Sequence, residues 1–300
     1  MSDSEKARPT TSAARLIAPL KWADRHGGKS YIAKRIVALM PPRSTWCHYV
    51  EPYAGGLAVL LANDPAGISE VVNDLNGSLY TFWRVLRDSD KFSRFERWCQ
   101  AAPFSEQIFL ECAGYLRQYV DRPDLETERA CAFFATCRMS LAGRMKAFAP
   151  ISRTRTRRGM NEQASAWLTC VEGLPAVHDR LKRVVIVGPK PACEVIRQQD
   201  GPETLFYIDA PYVCATRTAP DVYAHEMTDD EHRELVATLV ACKGKCMVSM
   251  YHHPIYDSLS LDHGWRVVEF DIANHAAGGA TKKRMTECLW MNFQAPGATA

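Results

Sequence analysis

The chain has 300 residues, of which 47% are hydrophobic and 24% are charged, and its formal net charge at pH 7 is +3. This composition supports a full hydrophobic core, and no stretch approaches the ~20 apolar residues of a membrane span. The small net charge does not by itself indicate a nucleic-acid partner, so the distribution of charge carries more information than its sum.

The first residues, 1–11, are polar and contain no apolar export signal. The eleven cysteines are an odd number and are dispersed, without a Cys-x-x-Cys pair. These features predict a reduced, cytoplasmic protein without structural zinc, in which most cysteines are small core residues.

The first half of the chain predicts alternating helices and strands. Residues 29–40 and 75–86 have helical spacing, and 47–50 and 70–72 are candidate strands. Between the first strand and its helix, Gly55-Gly56 forms a turn at which a ligand can approach the backbone closely. Asp74 follows 19 residues after Gly55, which is typical of a ribose-hydroxyl acceptor. Together they indicate an adenosine-bearing cofactor, although a glycine-rich turn without a ligand remains an alternative.

Residues 92–181 are predicted to be mainly helical, with one basic loop inside the block. The loop contains alternating Arg and Thr, opens at Pro150 and closes at Gly159, which predicts an exposed loop or hairpin. Arginines there could neutralise phosphates or contact guanine edges, whereas a solvated basic loop is the alternative. The candidate DNA-binding residues are Arg144, Lys146, Arg153, Arg155, Arg157 and Arg158.

The second half again alternates strands and helices. Strands are predicted at 184–187, 205–208, 246–250, 265–270 and 287–292, and Thr228-Asp229-Asp230-Glu231 has the form of a capping box that begins a helix ending at Gly244. Parallel strands linked by helices predict an α/β, Rossmann-like sheet, with the helical block as an insertion.

The segment Asp209-Ala210-Pro211-Tyr212 directly follows one of these strands. An acid, a backbone carbonyl and an aromatic ring thus meet where open α/β sheets bind ligands. Such a group can hold a flat base through its exocyclic amine, although Asp-x-Pro is also ordinary turn chemistry.

Several blocks in this order resemble the Dam-type DNA adenine methyltransferases, particularly phage and restriction-linked members. Residues 19–29 resemble the family's Leu-Lys-Trp-Ala-Gly-Gly-Lys motif, with three extra residues at 24–26. The glycine turn at 50–56 is similar to its Glu-Pro-Phe-x-Gly-x-Gly motif, and residues 73–76 to Asn-Asp-x-Asn. Residues 209–212 match Asp-Pro-Pro-Tyr in three of four places, and residues 283–287 resemble Lys-Arg-Thr-Glu with Met285 interposed.

The resemblance implies an S-adenosyl-L-methionine-dependent methyltransferase that acts on adenine in double-stranded DNA, and from the residues themselves we expect no metal site. It implies a catalytic core at 15–90 and 183–295, an inserted target-recognition region at 91–182, and ends at 1–14 and 296–300 that we expect to be disordered. The expected catalytic residues are Asp209, Ala210, Pro211 and Tyr212. The expected cofactor-binding residues are Trp22, Lys29, Glu51, Pro52, Tyr53, Ala54, Gly55, Gly56, Asp74 and Asp209.

Two departures affect these expectations. Alanine replaces a proline at residue 210, but the backbone carbonyl is retained, and Pro211 restrains residue 210 toward extended geometry. The three extra residues at 24–26 could alter contacts with the cofactor or with DNA.

Three alternatives remain open from the sequence: a cytosine-N4 methyltransferase, a glutamine-modifying protein methyltransferase, and a catalytically weakened homologue that binds DNA. A bacterial cell, a phage or prophage origin, a restriction endonuclease partner and the oligomeric state are not fixed by the sequence. The pair His252-His253 lacks a third ligand at a recognisable spacing, and Trp83, Trp98 and Trp167 are predicted to be core residues.

Overall fold

The structure, a computed structural model, describes residues 29–118, 122–216, 225–273 and 284–294. The expected disordered ends, Trp22, the extra residues at 24–26 and Lys283 lie outside these ranges. The described ranges hold helices α1–α10 and strands β1–β9.

The helices and strands alternate along most of the chain. The helices are α1 (Ala33–Ala38), α2 (Ala58–Ala62), α3 (Gly77–Arg87), α4 (Ser89–Ala101), α5 (Glu106–Gln118), α6 (Glu126–Met139), α7 (Glu162–Leu181), α8 (Ala192–Gln199), α9 (Asp229–Val240) and α10 (Pro254–Leu261). The strands are β1 (His48–Glu51), β2 (Ser69–Val72), β3 (Thr156–Arg157), β4 (Met160–Asn161), β5 (Val184–Ile186), β6 (Thr204–Ile208), β7 (Lys245–Tyr251), β8 (Arg266–Ala273) and β9 (Arg284–Met291).

Seven strands form one sheet in the order β5-β2-β1-β6-β7-β9-β8. Strands β5, β2, β1, β6 and β7 run parallel to one another, and β9 lies between β7 and β8 and is antiparallel to both. The predicted Rossmann-like α/β fold is confirmed. The antiparallel strand was not part of the prediction, because a strand's hydrophobic pattern does not show its direction.

The sheet changes its direction of growth between β1 and β6. From β1 the chain moves outward to β2 and β5 and then returns to the other side of β1 as β6. Crevices at the carboxyl ends of strands on either side of such a point are where open α/β sheets bind ligands. The segments after β1 and β6 are the glycine turn and residues 209–212, so the topology brings the two predicted site segments to neighbouring strands.

Side chains at the helix starts explain why several helices begin where they do. Asn76, Asp88 and Asn161 each accept hydrogen bonds from two backbone amides in the first turn of α3, α4 and α7, respectively. Thr228 and Glu231 form the predicted capping box at the start of α9. These residues satisfy backbone donors that a helix start otherwise leaves without partners.

The helical block α4–α7 shares a hydrophobic core with the sheet. One continuous cluster joins Tyr49 and Leu60 near the sheet to Phe95, Phe134 and Trp167 of the helical block. A buried ion pair also crosses this boundary, because Arg180 of α7 donates two hydrogen bonds to Glu70 of β2. The helices α4–α7 confirm the prediction that this block is mainly helical. The domain boundaries at 90/91 and 182/183 stay a prediction.

Two predicted helix bounds are wrong. The first helix begins at Ala33 rather than Lys29, since residues 30–32 form a turn in which Lys29 accepts hydrogen bonds from the amides of Ile32 and Ala33. Helix α9 ends at Val240 rather than Gly244. The Gly244 amide is bound instead by Asp200, and a side chain at this position would press on the Thr204 carbonyl.

The core contains most of the cysteines and tryptophans predicted for it. Seven cysteines are buried, whereas Cys47 and Cys214 are exposed and Cys193 and Cys242 are half-buried. Trp83 and Trp167 are buried and Trp98 packs at the edge of the core. Among the described residues, no helix is both long enough and apolar enough to cross a membrane.

Candidate functional site

The glycine turn connects β1 to α2 at the carboxyl edge of the sheet. Gly55 has φ +44°, and a Cβ added there would meet nothing within 4 Å. Leu57 also has a positive φ, +56°, and its side chain is buried. Burial of the Leu57 side chain holds a conformation that non-glycine residues rarely adopt. Because a Cβ at Gly55 would meet no other atom, the space beside Gly55 is open to a ligand.

Asp74 lies against this turn, as the parallel pairing of β1 and β2 requires. Its carboxylate accepts hydrogen bonds from the amides of Gly55 and Asn76, both at 2.9 Å. Burial raises the pKa of Asp74, and these two amides oppose that rise. An acceptor beside an open glycine turn suits a ribose hydroxyl, since each carboxylate oxygen has a second lone pair.

Glu51 is buried below the turn rather than exposed in it. The Tyr49 hydroxyl donates a 2.7 Å hydrogen bond to its carboxylate. Burial raises the pKa of Glu51 to about 8, although Tyr49 and the Leu60 backbone favour its ionised form. At neutral pH this carboxyl group therefore retains a proton.

Asn73 joins the glycine turn to the loop after β5. Its amide nitrogen donates to the carbonyls of Pro52 and Lys190, and its oxygen accepts from the Lys190 amide. Any side chain at Gly188 would collide with the Asn73 side chain, so glycine is required there. Asn73 was not among the predicted site residues, although it stands beside Asp74 in the quoted motif.

The other residues of the turn are partly buried. Ala54 is buried, and its amide donates to the Asn73 carbonyl. Tyr53 packs against the cluster on the α8–α9 side of the sheet, and burial raises its pKa. The predicted contact of Tyr53 with a cofactor stays a prediction.

Asp209 follows β6 and is held by Lys29. The Lys29 ammonium lies 2.6 Å from Asp209 Oδ1, and the Asp209 side chain is 20% exposed whereas that of Lys29 is 2% exposed. Burial lowers the pKa of Lys29, but Asp209 and Glu287 together raise it well above its usual range. Lys29, predicted to bind the cofactor, thus contacts the predicted catalytic acid.

Tyr212 lies behind Asp209 with its ring almost fully buried. Its hydroxyl donates a hydrogen bond to Glu287, and the Lys29 ammonium lies 4.8 Å from the centroid of its ring. The edge of Tyr251 packs against the ring at a centroid distance of 4.6 Å. The structure thus gives Tyr212 a hydrogen-bonding role, and stacking on a base stays a prediction.

Glu287 is the residue of this cluster that the sequence-based site list omits. Its carboxylate lies 3.5 Å from the Lys29 ammonium and is 1% exposed. The only signal in the sequence was the resemblance of residues 283–287 to the family's Lys-Arg-Thr-Glu strand, which assigns no role to the glutamate. Its place beside Asp209 results from β9 lying next to β7 in the sheet.

The two middle residues of the segment 209–212 are more deeply packed than exposed. Ala210 is 1% exposed and packs in the cluster that contains Phe206 and Val213. Pro211 is half-buried. The small side chain of Ala210 is therefore accommodated within the core, and residue 210 keeps its backbone carbonyl next to Asp209.

The arginine loop is a hairpin, as predicted. Strands β3 and β4 pair as Thr156 with Asn161 and Arg157 with Met160. The two turn residues, Arg158 and Gly159, both have positive φ, which is typical of a tight two-residue hairpin turn.

Two of the hairpin arginines form ion pairs with α7. Arg155 lies 2.7 Å from Glu162, and Arg158 binds Glu172 through two hydrogen bonds. Arg153 and Arg157 are exposed, and within the described ranges neither forms an ion pair. The structure therefore divides the four hairpin arginines into two that fasten the hairpin to α7 and two that are exposed without an ion pair among the described residues.

Arg144 and Lys146 are exposed in the segment just before the hairpin. A single bridge between Ser140 and Phe148 closes this segment, and Ser140 Oγ accepts a hydrogen bond from the Met145 amide. The Phe148 ring packs against Phe104 and Phe109, with centroid distances of 5.1 and 5.9 Å. Phe148 thus supports the segment from within the helical block.

The histidine pair lies near the same edge of the sheet. His252 contacts Asp257 at 2.8 Å and Glu269 at 3.3 Å, and His253 begins α10. In the part of the chain that the structure describes, no group of three or more His, Cys, Asp or Glu residues is arranged to hold a metal ion.

One family model matches the chain. Residues 26–156 match the model described as D12 class N6 adenine-specific DNA methyltransferase. The match includes the glycine turn, Asp74 and the helices before the hairpin, and it ends before Asp209. No curated protein matches the chain. Over these residues, which are less than half of the chain, the protein is similar to that family, and together with the Rossmann-like sheet the similarity indicates an S-adenosyl-L-methionine-dependent, adenine-specific DNA methyltransferase.

Proposed function

We propose that this enzyme transfers a methyl group to the exocyclic N6 amine of an adenine that has been flipped out of double-stranded DNA. The observation that carries the proposal is the position of Asp209, which is partly exposed, bound to Lys29 and one strand away from the open glycine turn. A base inside a duplex cannot reach this edge of the sheet, so the target nucleotide has to leave the stack.

The cofactor fits the residues at the turn. Gly55 leaves room for a nucleoside, Asp74 offers carboxylate oxygens to ribose hydroxyls, and Asn73 fixes the loops on either side. When bound there, S-adenosyl-L-methionine supplies an electrophilic methyl group on a positively charged sulfur.

Asp209 and the Ala210 carbonyl act on the target amine. Of the two carboxylate oxygens of Asp209, Oδ1 accepts a hydrogen bond from Lys29, and Oδ2 has no hydrogen-bond partner among the described residues. Oδ2 can therefore accept a hydrogen bond from the adenine amine. With the Ala210 carbonyl accepting the second, the nitrogen becomes pyramidal and its lone pair points away from the ring. Positioning of this kind accounts for much of the acceleration in a direct displacement. The amine proton passes to the carboxylate of Asp209 as the new bond forms.

We further propose that residues 91–182 form the target-recognition region. The hairpin holds Arg153 and Arg157 exposed on two short strands, and Arg144 and Lys146 add positive charge next to it. Arginines can bind phosphates and guanine edges, so this surface provides both affinity and sequence preference. The DNA substrate makes a bacterial cytoplasm the expected compartment, with or without a partner endonuclease.

The test compares DNA from cells that express the enzyme or its Asp209→Ala variant, in a host that lacks N6-methyladenine. Mass spectrometry of digested DNA should detect N6-methyladenine with the wild type and none with the variant, while the purified variant still binds the cofactor. Asp262→Ala, at an exposed position after α10, is the matched control and should methylate normally.

Methylated cytosine in place of methyladenine, or full turnover by Asp209→Ala, would contradict the proposal. DNA binding without any methylated base would instead favour the catalytically weakened homologue. Long-read mapping of the modified positions then defines the recognition sequence.

A further inference from the structure

Glu287 is a buried acid in the middle of a sheet strand. In the antiparallel register of β9 it lies opposite Tyr251 of β7 and Phe270 of β8. Its residue surface is 1% exposed. An ionised carboxylate at such a position costs considerable free energy unless charged or hydrogen-bonding partners compensate for the lost water. The residues that contact Glu287 therefore indicate the role of its carboxylate.

The partners of Glu287 are Lys29, which binds Asp209, and Tyr212, the last residue of the segment 209–212. Glu287 lies 3.5 Å from Lys29, which lies 2.6 Å from Asp209. Glu287 also accepts the hydrogen bond of Tyr212, the last residue of the tetrapeptide. A single carboxylate from a distant strand thus contacts the lysine that holds Asp209 and the tyrosine that ends the segment.

The charges in this cluster do not cancel. Burial raises the pKa of Glu287, whereas Lys29 and the hydrogen bond from Tyr212 favour the ionised carboxylate, and Asp209 opposes it. Tyr31 and Tyr251 also face this cluster, and both are neutral at physiological pH because burial and the negative charge of Glu287 raise their pKa. Among the described residues, these two carboxylates around one ammonium give the cluster a net negative charge when both are ionised. With Lys29 and an ionised Asp209 alone the charge of the described cluster would be zero.

We propose that Glu287 is a positioning residue for methyl transfer, whose carboxylate orients Lys29 and Tyr212 around Asp209 and gives the site a net negative charge that favours the positively charged methyl donor over its neutral product. The inference rests on the proposed function, because it places the sulfonium of S-adenosyl-L-methionine near Asp209. The product, S-adenosyl-L-homocysteine, lacks that positive charge but keeps the rest of the molecule.

The experiment measures the dissociation constants of S-adenosyl-L-methionine and S-adenosyl-L-homocysteine by calorimetry. Glu287→Gln keeps the size of the side chain and an oxygen that accepts from Lys29 and Tyr212, but it removes the charge. We expect this variant to bind the methyl donor about tenfold more weakly and the product almost unchanged, because only the donor carries the positive charge that Glu287 attracts. Glu287→Asp should restore most of the preference for the donor. Glu269→Gln, an exposed acid on β8, is the control and should match the wild type.

A pH series provides a second measurement on the wild type. The preference for the donor over the product should increase as pH rises through the pKa of Glu287, and Glu287→Gln should flatten this increase. Asp209→Asn, measured in parallel, separates the contribution of Asp209 from that of Glu287.

Equal weakening of both ligands in Glu287→Gln would show a purely structural role and overturn the inference. An unchanged ratio in a stably folded variant would do the same, and so would a wild-type ratio that does not vary with pH. These outcomes are distinct from failure of the proposed function, because methyladenine formation by the wild type and its loss in Asp209→Ala do not depend on Glu287. Thermal unfolding of each variant shows whether it folds.

Discussion

The proposed methyl-transfer site and the arginine hairpin both contain charged side chains, but the two regions hold them in opposite ways. Lys29, Asp209 and Glu287 come from three distant parts of the chain and meet in the interior, where each contacts another. The hairpin arginines come from one short segment and stay exposed, and the ion pairs seen among the described residues join Arg155 and Arg158 to the neighbouring helix α7. In the buried cluster, the positions of the charged groups are therefore fixed by their contacts with one another. In the hairpin, the charged groups remain exposed to solvent.

This difference predicts different sensitivities. Buried carboxyl groups have raised pKa values, so the site should respond to pH, and salt should affect it little because buried pairs are poorly screened. Exposed arginines keep their charge at every physiological pH, so the hairpin should respond to salt through the release of counterions from DNA.

The largest expected effect comes from Lys29→Ala. It leaves the buried Glu287 and the partly buried Asp209 without their shared cation, which should cost about 3–5 kcal/mol of unfolding free energy. Methyl transfer should also fall by roughly a thousandfold, because Asp209 loses the group that orients it. Denaturant titration and single-turnover kinetics measure the two effects. Lys34→Ala, an exposed lysine on α1, should leave both unchanged.

A smaller effect concerns the pH dependence of stability. Burial raises the pKa of Glu51 from 4.5 to about 8, so the folded chain keeps a proton that the unfolded chain loses. The stabilisation is complete below pH 4.5 and is lost as pH rises toward 8, with a slope of up to about 1.4 kcal/mol per pH unit.

Glu51→Gln should remove this part of the slope, as followed by urea unfolding at pH 5 to 8, whereas the exposed control Glu111→Gln should retain it. A slope that is the same in Glu51→Gln and in the wild type would place the pH sensitivity elsewhere.

The smallest expected effect concerns the hairpin. Arg157→Ala and Arg153→Ala should each weaken DNA binding by about tenfold at physiological salt and reduce the salt slope of log Kd by ~0.9, the value for one phosphate contact. Fluorescence anisotropy over a range of salt concentrations measures this. Arg158→Ala should change the salt slope less, since Arg158 is already paired with Glu172. Cofactor binding should be the same in all three variants, and a loss of cofactor affinity would contradict the separation of the two regions.

Much of the local structure could be predicted from the sequence, because it depends on interactions between residues close in the chain. The capping box at Thr228, the buried strand β6 and the hairpin closed by Gly159 are local features, and all three are present. The start of α1 was predicted wrongly because a local turn precedes it, and the end of α9 was predicted wrongly because a distant residue binds the backbone just beyond it. Asp200 binds the amide of Gly244 across 44 residues, and local periodicity contains no record of that contact.

The sequence by itself determined the fold class, the glycine turn with Asp74, and the acid that follows β6. These features depend on hydrophobic periodicity, on turn-forming residues and on the spacing between motifs, all of which can be read along the chain. Only the tertiary structure decided that Lys29 binds Asp209 across 180 residues and that Glu287 joins them. It also decided that, within the part of the chain that the structure describes, Arg155 and Arg158 form ion pairs whereas Arg153 and Arg157 do not. The reason is that the free energy of a charged group depends on its burial and on its partners in space. For these residues, both are fixed by the order and direction of strands in the sheet and by the packing of the hairpin on α7.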